Sequence, residues 1–175
     1  EPTFAKMAAL SRQMNAFFAV WLPAYCAENH PDTYTVFAGG DDFFLIGPWH
    51  STQKLAADMA AQFRTYVAEN PEIHFSAGMV MSKPGLPIHT LASQAEEALE
   101  AAKGGGKNAL TLFGQRIPWS DWPAVSTAQG ELEQLANDYR LSTSYLYGLL
   151  DLIRLACDTG NPESEIWRSR FAYRT

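Results

Sequence analysis

The sequence has no long hydrophobic run. None of its apolar stretches approaches the roughly 20 residues that a membrane-spanning helix needs, and no basic segment leads into a hydrophobic stretch with a cleavage site, so export is not expected. A cytoplasmic protein with no membrane partner is expected instead. Cysteine is nearly absent: Cys26 and Cys157 lie far apart without CxxC spacing. That excludes a disulfide framework and a cysteine-based zinc site, and both read as small buried hydrophobes in a reducing compartment. Positive charge is also scarce, with 13 Lys and Arg against 19 Asp and Glu and a net charge of −6. Broad phosphate-binding surfaces need many cations, so any nucleotide or RNA contact must be local. Internal repeats and low-complexity tracts are missing too. The four histidines, His30, His50, His74 and His89, have no partners at metal-ligand spacing and read as structural or surface residues.

What is present is a chain of 175 residues, 47% hydrophobic and 18% charged. That is enough for one good-sized domain, or a domain with a small appendage. Phe4, Met7, Leu10, Met14, Phe17, Phe18 and Trp21 recur at spacings of three and four, which predicts one helix with an apolar stripe, ended by Pro23 and "ENHPD". Tyr34 to Ala38 and Phe43 to Gly47 are aromatic and β-branched runs on either side of Gly39-Gly40-Asp41-Asp42, a predicted hairpin. Ser51 or Thr52 caps a second helix with Leu55, Met59, Phe63 and Val67 inward.

In "EIHFSAGMVMS", alternation from Ile73 to Met81 predicts a mostly buried strand. A third helix covers 88–103 with Leu91, Ala95, Ala98, Leu99 and Ala102 inward, and Gly104, Gly105 and Gly106 stop it. Asn108 to Phe113 is a short strand, "FGQRIPWSDWPAVS" reads as a linker, and helices follow. Their apolar faces are expected from Leu132, Leu135, Tyr139, Leu146, Leu149, Leu150, Ile153 and Leu155. The order α-β-β-α-β-α-β is a ferredoxin-like βαββαβ unit with an extra α-β and without its first strand. The fold class is therefore α+β: a palm over 1–116 with a gap in its sheet, then a small all-α domain over 117–175. The missing strand implies a segment of something longer.

Asp41 and Asp42 carry the chemistry. Adjacent carboxylates repel, and Asn or Ser would wet a hairpin tip without that cost, so the pair makes most sense with a divalent cation between them. Oxygen-only donors suit Mg²⁺ or Mn²⁺, whose shells are completed by water and phosphate. The bland alternative is that Gly39-Gly40 supplies the positive φ of a primed turn and the aspartates stay wet. Gly39 and Gly40 would also let a phosphate approach the backbone closely. Farther on, Lys103 and Lys107 bracket three glycines, where one would suffice as a helix cap. A helix C-terminus repels anions, and two lysines there offset the dipole. Ser76 and Gly78, on the strand expected beside the hairpin, could border a base or ribose; relief of packing is the plainer reading of both.

Carboxylates on a hairpin within a βαββαβ unit mark the palms of nucleotide cyclases and polymerases. "AGGDDFFLI" and "ASQAEEALEAAKGGGKNALTLF" resemble diguanylate cyclases, but the Glu of their GG(D/E)EF motif is Asp42 here and no inhibitory RxxD precedes the hairpin. The sequence more closely resembles the large, GGDD-bearing subunit of type III-A CRISPR effector complexes. "TFAKMAALSRQMNAFFAVWLP", "VFAGGDDFFLIGPW", "HFSAGMVMSKPGLPIHTLASQAEEALEAAKGGGKN", "FGQRIPWSDW" and "WRSRFAY" carry that resemblance over essentially the whole chain.

The resemblance implies a second palm that pairs with a first and converts ATP into cyclic oligoadenylates when the complex binds target RNA, in antiviral defence. It implies Asp41 and Asp42 as catalytic metal ligands for Mg²⁺ or Mn²⁺ and Lys103 and Lys107 as holders of the triphosphate. Partners would be ATP, the other subunits of the complex, and guide and target RNA through them. In related cyclases a carboxylate from the first strand completes the metal site, so the isolated segment is expected to be inactive. Two alternatives remain open: a GTP-using diguanylate cyclase, and a palm that serves only as scaffold for subunits and guide RNA. The helical end, with "IWRSRFAYR", reads equally as an assembly surface or as core.

Overall fold

A computed structural model describes residues 3–158 and 162–174. Two compact units make up the chain, Glu1–Pro123 and Ala124–Thr175. The sequence-based division at 116 instead falls inside a strand.

The first helix, α1 (Phe4–Ala16), starts at Thr3, whose hydroxyl accepts from the Lys6 N–H. It passes through a π-helical turn, Phe17–Trp21, into α2 (Leu22–Asn29). Pro23 therefore does not end the helix, contrary to expectation. Proline has no N–H for the carbonyl four residues back and its ring crowds that carbonyl; the widened turn, where the Leu22 N–H reaches the Phe17 carbonyl, absorbs both problems. The apolar stripe is also split. Phe17, Phe18, Leu22 and Cys26 are buried, whereas Phe4, Met7 and Leu10 are exposed.

Strands β1 (Tyr34–Gly39) and β2 (Asp42–Ile46) pair antiparallel, with Gly39 opposite Asp42. The register slips between Thr35 and Phe37, a bulge that bends the hairpin. At the tip Gly40 has φ +65° and Asp41 does not share it, the pattern of a type II′ turn with glycine first. Gly39 is ordinary strand, so only one of the two glycines supplies the turn. Helix α3 (Trp49–Tyr66) lays Leu55, Met59 and Phe63 against Phe17, Phe18, Leu22 and Cys26. Ring contacts tie this core together: Phe18 stacks on Phe43 at 5.5 Å and on Phe63 at 5.8 Å, and Phe75 meets Phe63 edge-on at 5.2 Å.

Strand β3 is shorter than expected, Ala77–Met79 only. It pairs parallel with β4 (Ala109–Leu112), reached by the crossover helix α4 (Ile88–Gly104), and β4 pairs antiparallel with β5 (Gln115–Pro118). The stretch from Ile73 to Ser76 has no ladder partner to extend β3. The expected linker thus contains a strand. Phe113 and Gly114 both have positive φ, 51° and 74°, as a type I′ turn requires, and Phe at the first position hid the hairpin from a composition reading. Trp122 is a core residue of this second layer, and the half-buried Trp119 packs against it. Trp122 joins Ala77, Met79, Leu110 and Leu112, and the Trp119 indole N–H donates to the Phe75 carbonyl at 3.0 Å.

The two sheets are separate: β1-β2 and β3-β4-β5. Among the described residues no strand bridges β2 and β3, and a groove opens between them. This is the gap expected in the sheet.

One buried polar cluster steadies the far end of the first unit. His30 is almost fully buried. Its Nδ1 lies 3.3 Å from the Ser51 hydroxyl and its Nε2 lies 3.4 Å from Asp58 Oδ2, which also accepts from the Tyr25 hydroxyl at 3.2 Å. Ser51 donates onward to Asp32 at 2.7 Å. Burial, then Asp58, pushes the Tyr25 phenol above its ordinary value.

The second unit holds most of α5 (Trp122–Asp138), then α6 (Thr143–Cys157), a 3₁₀ turn Pro162–Ile166 and α7 (Trp167–Arg174). Ser142 caps α6 by accepting from the Tyr145 N–H. Gly148 and Leu152 are its buried residues, while Leu132, Leu135, Tyr139, Leu150 and Ile153, expected inward, are exposed. Cys157 is exposed as well, against the expectation for it, and Cys26 is buried as expected. Among the described residues no helix is long and apolar enough to cross a membrane.

Candidate functional site

The groove between the sheets has a volume of about 1040 Å³ and brings together most of the residues singled out from sequence. Asp41, Asp42, Lys103 and Lys107 all line it, as do Gly78 on β3 and Ser76 just before that strand. Its floor is apolar, formed by Phe18, Phe43, Leu55, Met59, Phe63 and Phe75. The result is a lining both charged and apolar.

Each charged residue is placed by a local device. The II′ turn puts Asp41 at the tip and Asp42 at the start of β2, and both residues line the groove. A side chain of α1 holds that turn: the Gly40 N–H donates to Asn15 Oδ1 at 2.8 Å. Neither Gly39 nor Gly40 lines the groove. The Gly40 amide is engaged by Asn15, and Gly39 is ordinary strand.

Lys103 sits in the last turn of α4, where its ammonium pairs with Glu100 at 2.9 Å. That hydrogen bond, aided by the charges of Glu100, Asp42 and Glu96, holds its pKa above the ordinary lysine value. Asp42 and Lys103 thus share one field. Lys107 follows the glycines with φ +58°, and Asn108 repeats this at +50°. Two consecutive non-glycine residues in the left-handed region are a costly conformation that the surroundings must impose.

Gly78 has a packing explanation. A Cβ there would lie 2.3 Å from the Leu99 nitrogen and 2.5 Å from the Ala95 carbonyl, so α4 presses directly on this strand. The Ser76 hydroxyl is buried and finds no hydrogen-bond partner in the chain, while its residue lines the groove. Buried hydroxyls are rarely left so. An incoming polar group would satisfy it.

Among the described residues no cluster of three or more His, Cys, Asp or Glu is poised for a metal. The Asp41–Asp42 pair nonetheless fits Mg²⁺ or Mn²⁺, because such ions are commonly held by one or two carboxylates, with water and substrate phosphates filling the shell. Sequence reasoning missed Asn15, Glu96 and Arg116. Asn15 shows only a polar residue on a mostly apolar helix face, and Arg116 lay in the presumed linker.

Comparison with known proteins bears on this geometry. The family model for the second palm domain of Cas10/Cmr2 matches residues 1–111. The chain belongs to this family. As a Cas10-type second palm, it is similar to the single-strand-specific deoxyribonucleases Cas10/Csm1 of subtype III-A. The Streptococcus thermophilus protein is 28% identical over 158 residues, covering 87% of this chain and 20% of that one. The Enterococcus italicus protein is 29% identical over 176 residues, covering 98% and 22%. The chain therefore spans about a fifth of the length of these relatives.

Among solved structures, a Csm1–Csm4 cassette in complex with pppApApA matches with a TM-score of 0.80 at 21% identity, over 98% of this chain and 28% of that one. A cassette in complex with one ATP matches with a TM-score of 0.75 at 22% identity, over 93% and 27%. At these identities the likeness shows the fold, which for this Cas10-type palm is the α+β class expected from sequence.

Proposed function

We propose that this chain is the second palm of a type III-A effector large subunit and supplies one half of a site that makes cyclic oligoadenylates from ATP when the complex binds target RNA. The observation that carries this reading is the groove whose lining gathers Asp41, Asp42, Lys103 and Lys107, with Lys103 in the field of Asp42. Relatives of subtype III-A and fold neighbours crystallised with ATP, cA3 and cA4 support it. In this reading Asp41 and Asp42 hold Mg²⁺ or Mn²⁺. A bound divalent ion supplies positive charge at the α-phosphate and acidifies the attacking ribose hydroxyl.

The chain's own residues do the rest. Lys103 and Lys107 neutralise and orient the triphosphate, so that the ribose 3′-oxygen bonds to the α-phosphorus as the bond to the β-phosphate breaks and pyrophosphate leaves. Ser76 offers its unpaired hydroxyl to the sugar or base. Exposed Phe171 and Tyr173 on α7, with Arg168 stacked 5.7 Å from the Trp167 ring, suit assembly with other subunits, through which guide and target RNA are met.

The test is product formation by the assembled complex with ATP or GTP, Mg²⁺ and target RNA. Asp41→Ala with Asp42→Ala abolishes oligoadenylate synthesis and leaves assembly and RNA binding intact. Unchanged synthesis removes this reading, and a product from GTP alone turns it to the diguanylate cyclase class.

A further inference from the structure

The three glycines between Lys103 and Lys107 exceed what a helix end needs, and a residue that bears on the middle one, Gly105, lies on another element. Arg116, half-buried on β5, folds its side chain across the end of α4. Its Nε–H donates to the Ala102 carbonyl at 3.1 Å and an Nη–H donates to the Lys107 carbonyl at 2.8 Å. One guanidinium therefore links the last turn of the helix to the residue where the loop ends. A rigid planar fork can do this and an ammonium cannot.

Gly105 is the glycine that meets this side chain. A Cβ at Gly105 would lie 2.6 Å from Arg116 Nε and 2.7 Å from its Cδ, so the arginine lies flat on a position with no side chain. Gly105 itself has φ −94°, which any residue adopts. Its lack of a Cβ is thus what lets Arg116 lie where it does, and is not called for by the backbone. Gly106, at φ +107°, needs to be glycine for the turn. Lys107 and Asn108 then enter the left-handed region, and the carbonyl that Arg116 holds belongs to the first of them.

We infer that Arg116 is a positioning residue for a triphosphate site: it braces the 103–107 loop so that Lys103 and Lys107 face the groove together, and its charge offsets the anion-repelling C-terminus of α4. The helix end leaves carbonyls pointing outward with partial negative charge. Arg116 takes up one of these, at Ala102, and places a fixed cation behind the two lysines. The ligand class is a polyphosphate of a nucleotide. This inference rests on the proposed function of the groove.

The test measures Mg²⁺-dependent binding of ATP and of AMP to the full-length subunit in its complex. Four variants are compared with the natural protein: Arg116→Gln, Arg116→Lys, Gly105→Ala, and Lys103→Ala with Lys107→Ala. Losing two charge-assisted hydrogen bonds that orient the lysines should weaken ATP about tenfold. AMP, which lacks the β- and γ-phosphates, should change by less than about twofold. Arg116→Lys keeps the charge but cannot bridge both carbonyls, so it should lose as much as Arg116→Gln. Gly105→Ala leaves Arg116 and the core in place yet pushes the guanidinium off its seat, so it should reproduce the same selective loss even if an Arg116 variant folds poorly.

Arg116→Lys and Gly105→Ala binding ATP like the natural protein, while the double lysine variant loses it, would overturn the bracing role alone. Equal loss of ATP and AMP would also overturn it, by showing a general structural effect. A double lysine variant that binds ATP normally would remove the reading of the loop as a phosphate site, and the bracing role with it.

Discussion

At the scale of the residue, single side chains and single glycines set the site. Asn15 fixes the hairpin tip through one hydrogen bond to Gly40. A typical net hydrogen bond is worth about 1 kcal/mol. Asn15→Ala should therefore accelerate hydrogen exchange of the Gly40 amide about fivefold. No change would mean that the turn holds itself. The two thiols should behave in opposite ways. Burial pushes the Cys26 pKa up, which suppresses the reactive thiolate at every pH below that raised value, whereas Cys157 is exposed. A thiol reagent at neutral pH should modify one cysteine per native chain quickly and the second only on unfolding. Two fast reactions would contradict the burial of Cys26. The carboxylate pair and the two lysines were legible in the sequence because their chemistry is unusual at any position. Arg116 and Asn15 were not, since each acts on a backbone group distant along the chain: Arg116 reaches back 14 residues to Ala102 and Asn15 forward 25 to Gly40.

At the scale of the element, the hairpin and α4 followed directly from local pattern, and three features did not. The π turn arises because Pro23 sits where tertiary packing of Phe17, Phe18, Leu22 and Cys26 favours a continuing helix, a gain that propensity alone does not register. Strand β5 hid behind the Phe113-Gly114 turn, whose first residue is atypical of its class. The end of β3 at Met79 reflects a missing ladder partner, which alternation of side chains cannot reveal. Packing of α4 on β3 gives a sharp prediction. Gly78→Ala puts a methyl into the α4 backbone and should destabilise the first unit by about 1–3 kcal/mol or more, seen as a lower denaturant midpoint with an unchanged slope. Wild-type stability would show that α4 is free to retreat. Phe18→Ala, which empties the centre of the aromatic cluster, should cost about 3–5 kcal/mol by the same measurement.

At the scale of the whole molecule, two separate sheets flank one groove, and its lining is part charged and part apolar. With a net charge of −6 and only a few cations at the groove, Lys103 and Lys107 among them, the chain suits a small phosphate ligand better than a long nucleic acid. The chain spans about a fifth of the length of the relatives it matches. The central claim is that the neighbouring acids of the hairpin hold a divalent ion against a nucleotide triphosphate. Binding of Mn²⁺ to the full-length subunit, followed by electron paramagnetic resonance with and without ATP, tests it most directly. The account predicts an ATP-dependent bound Mn²⁺ signal that Asp41→Asn with Asp42→Asn weakens at least about tenfold. The same signal, undiminished in that variant, would contradict it.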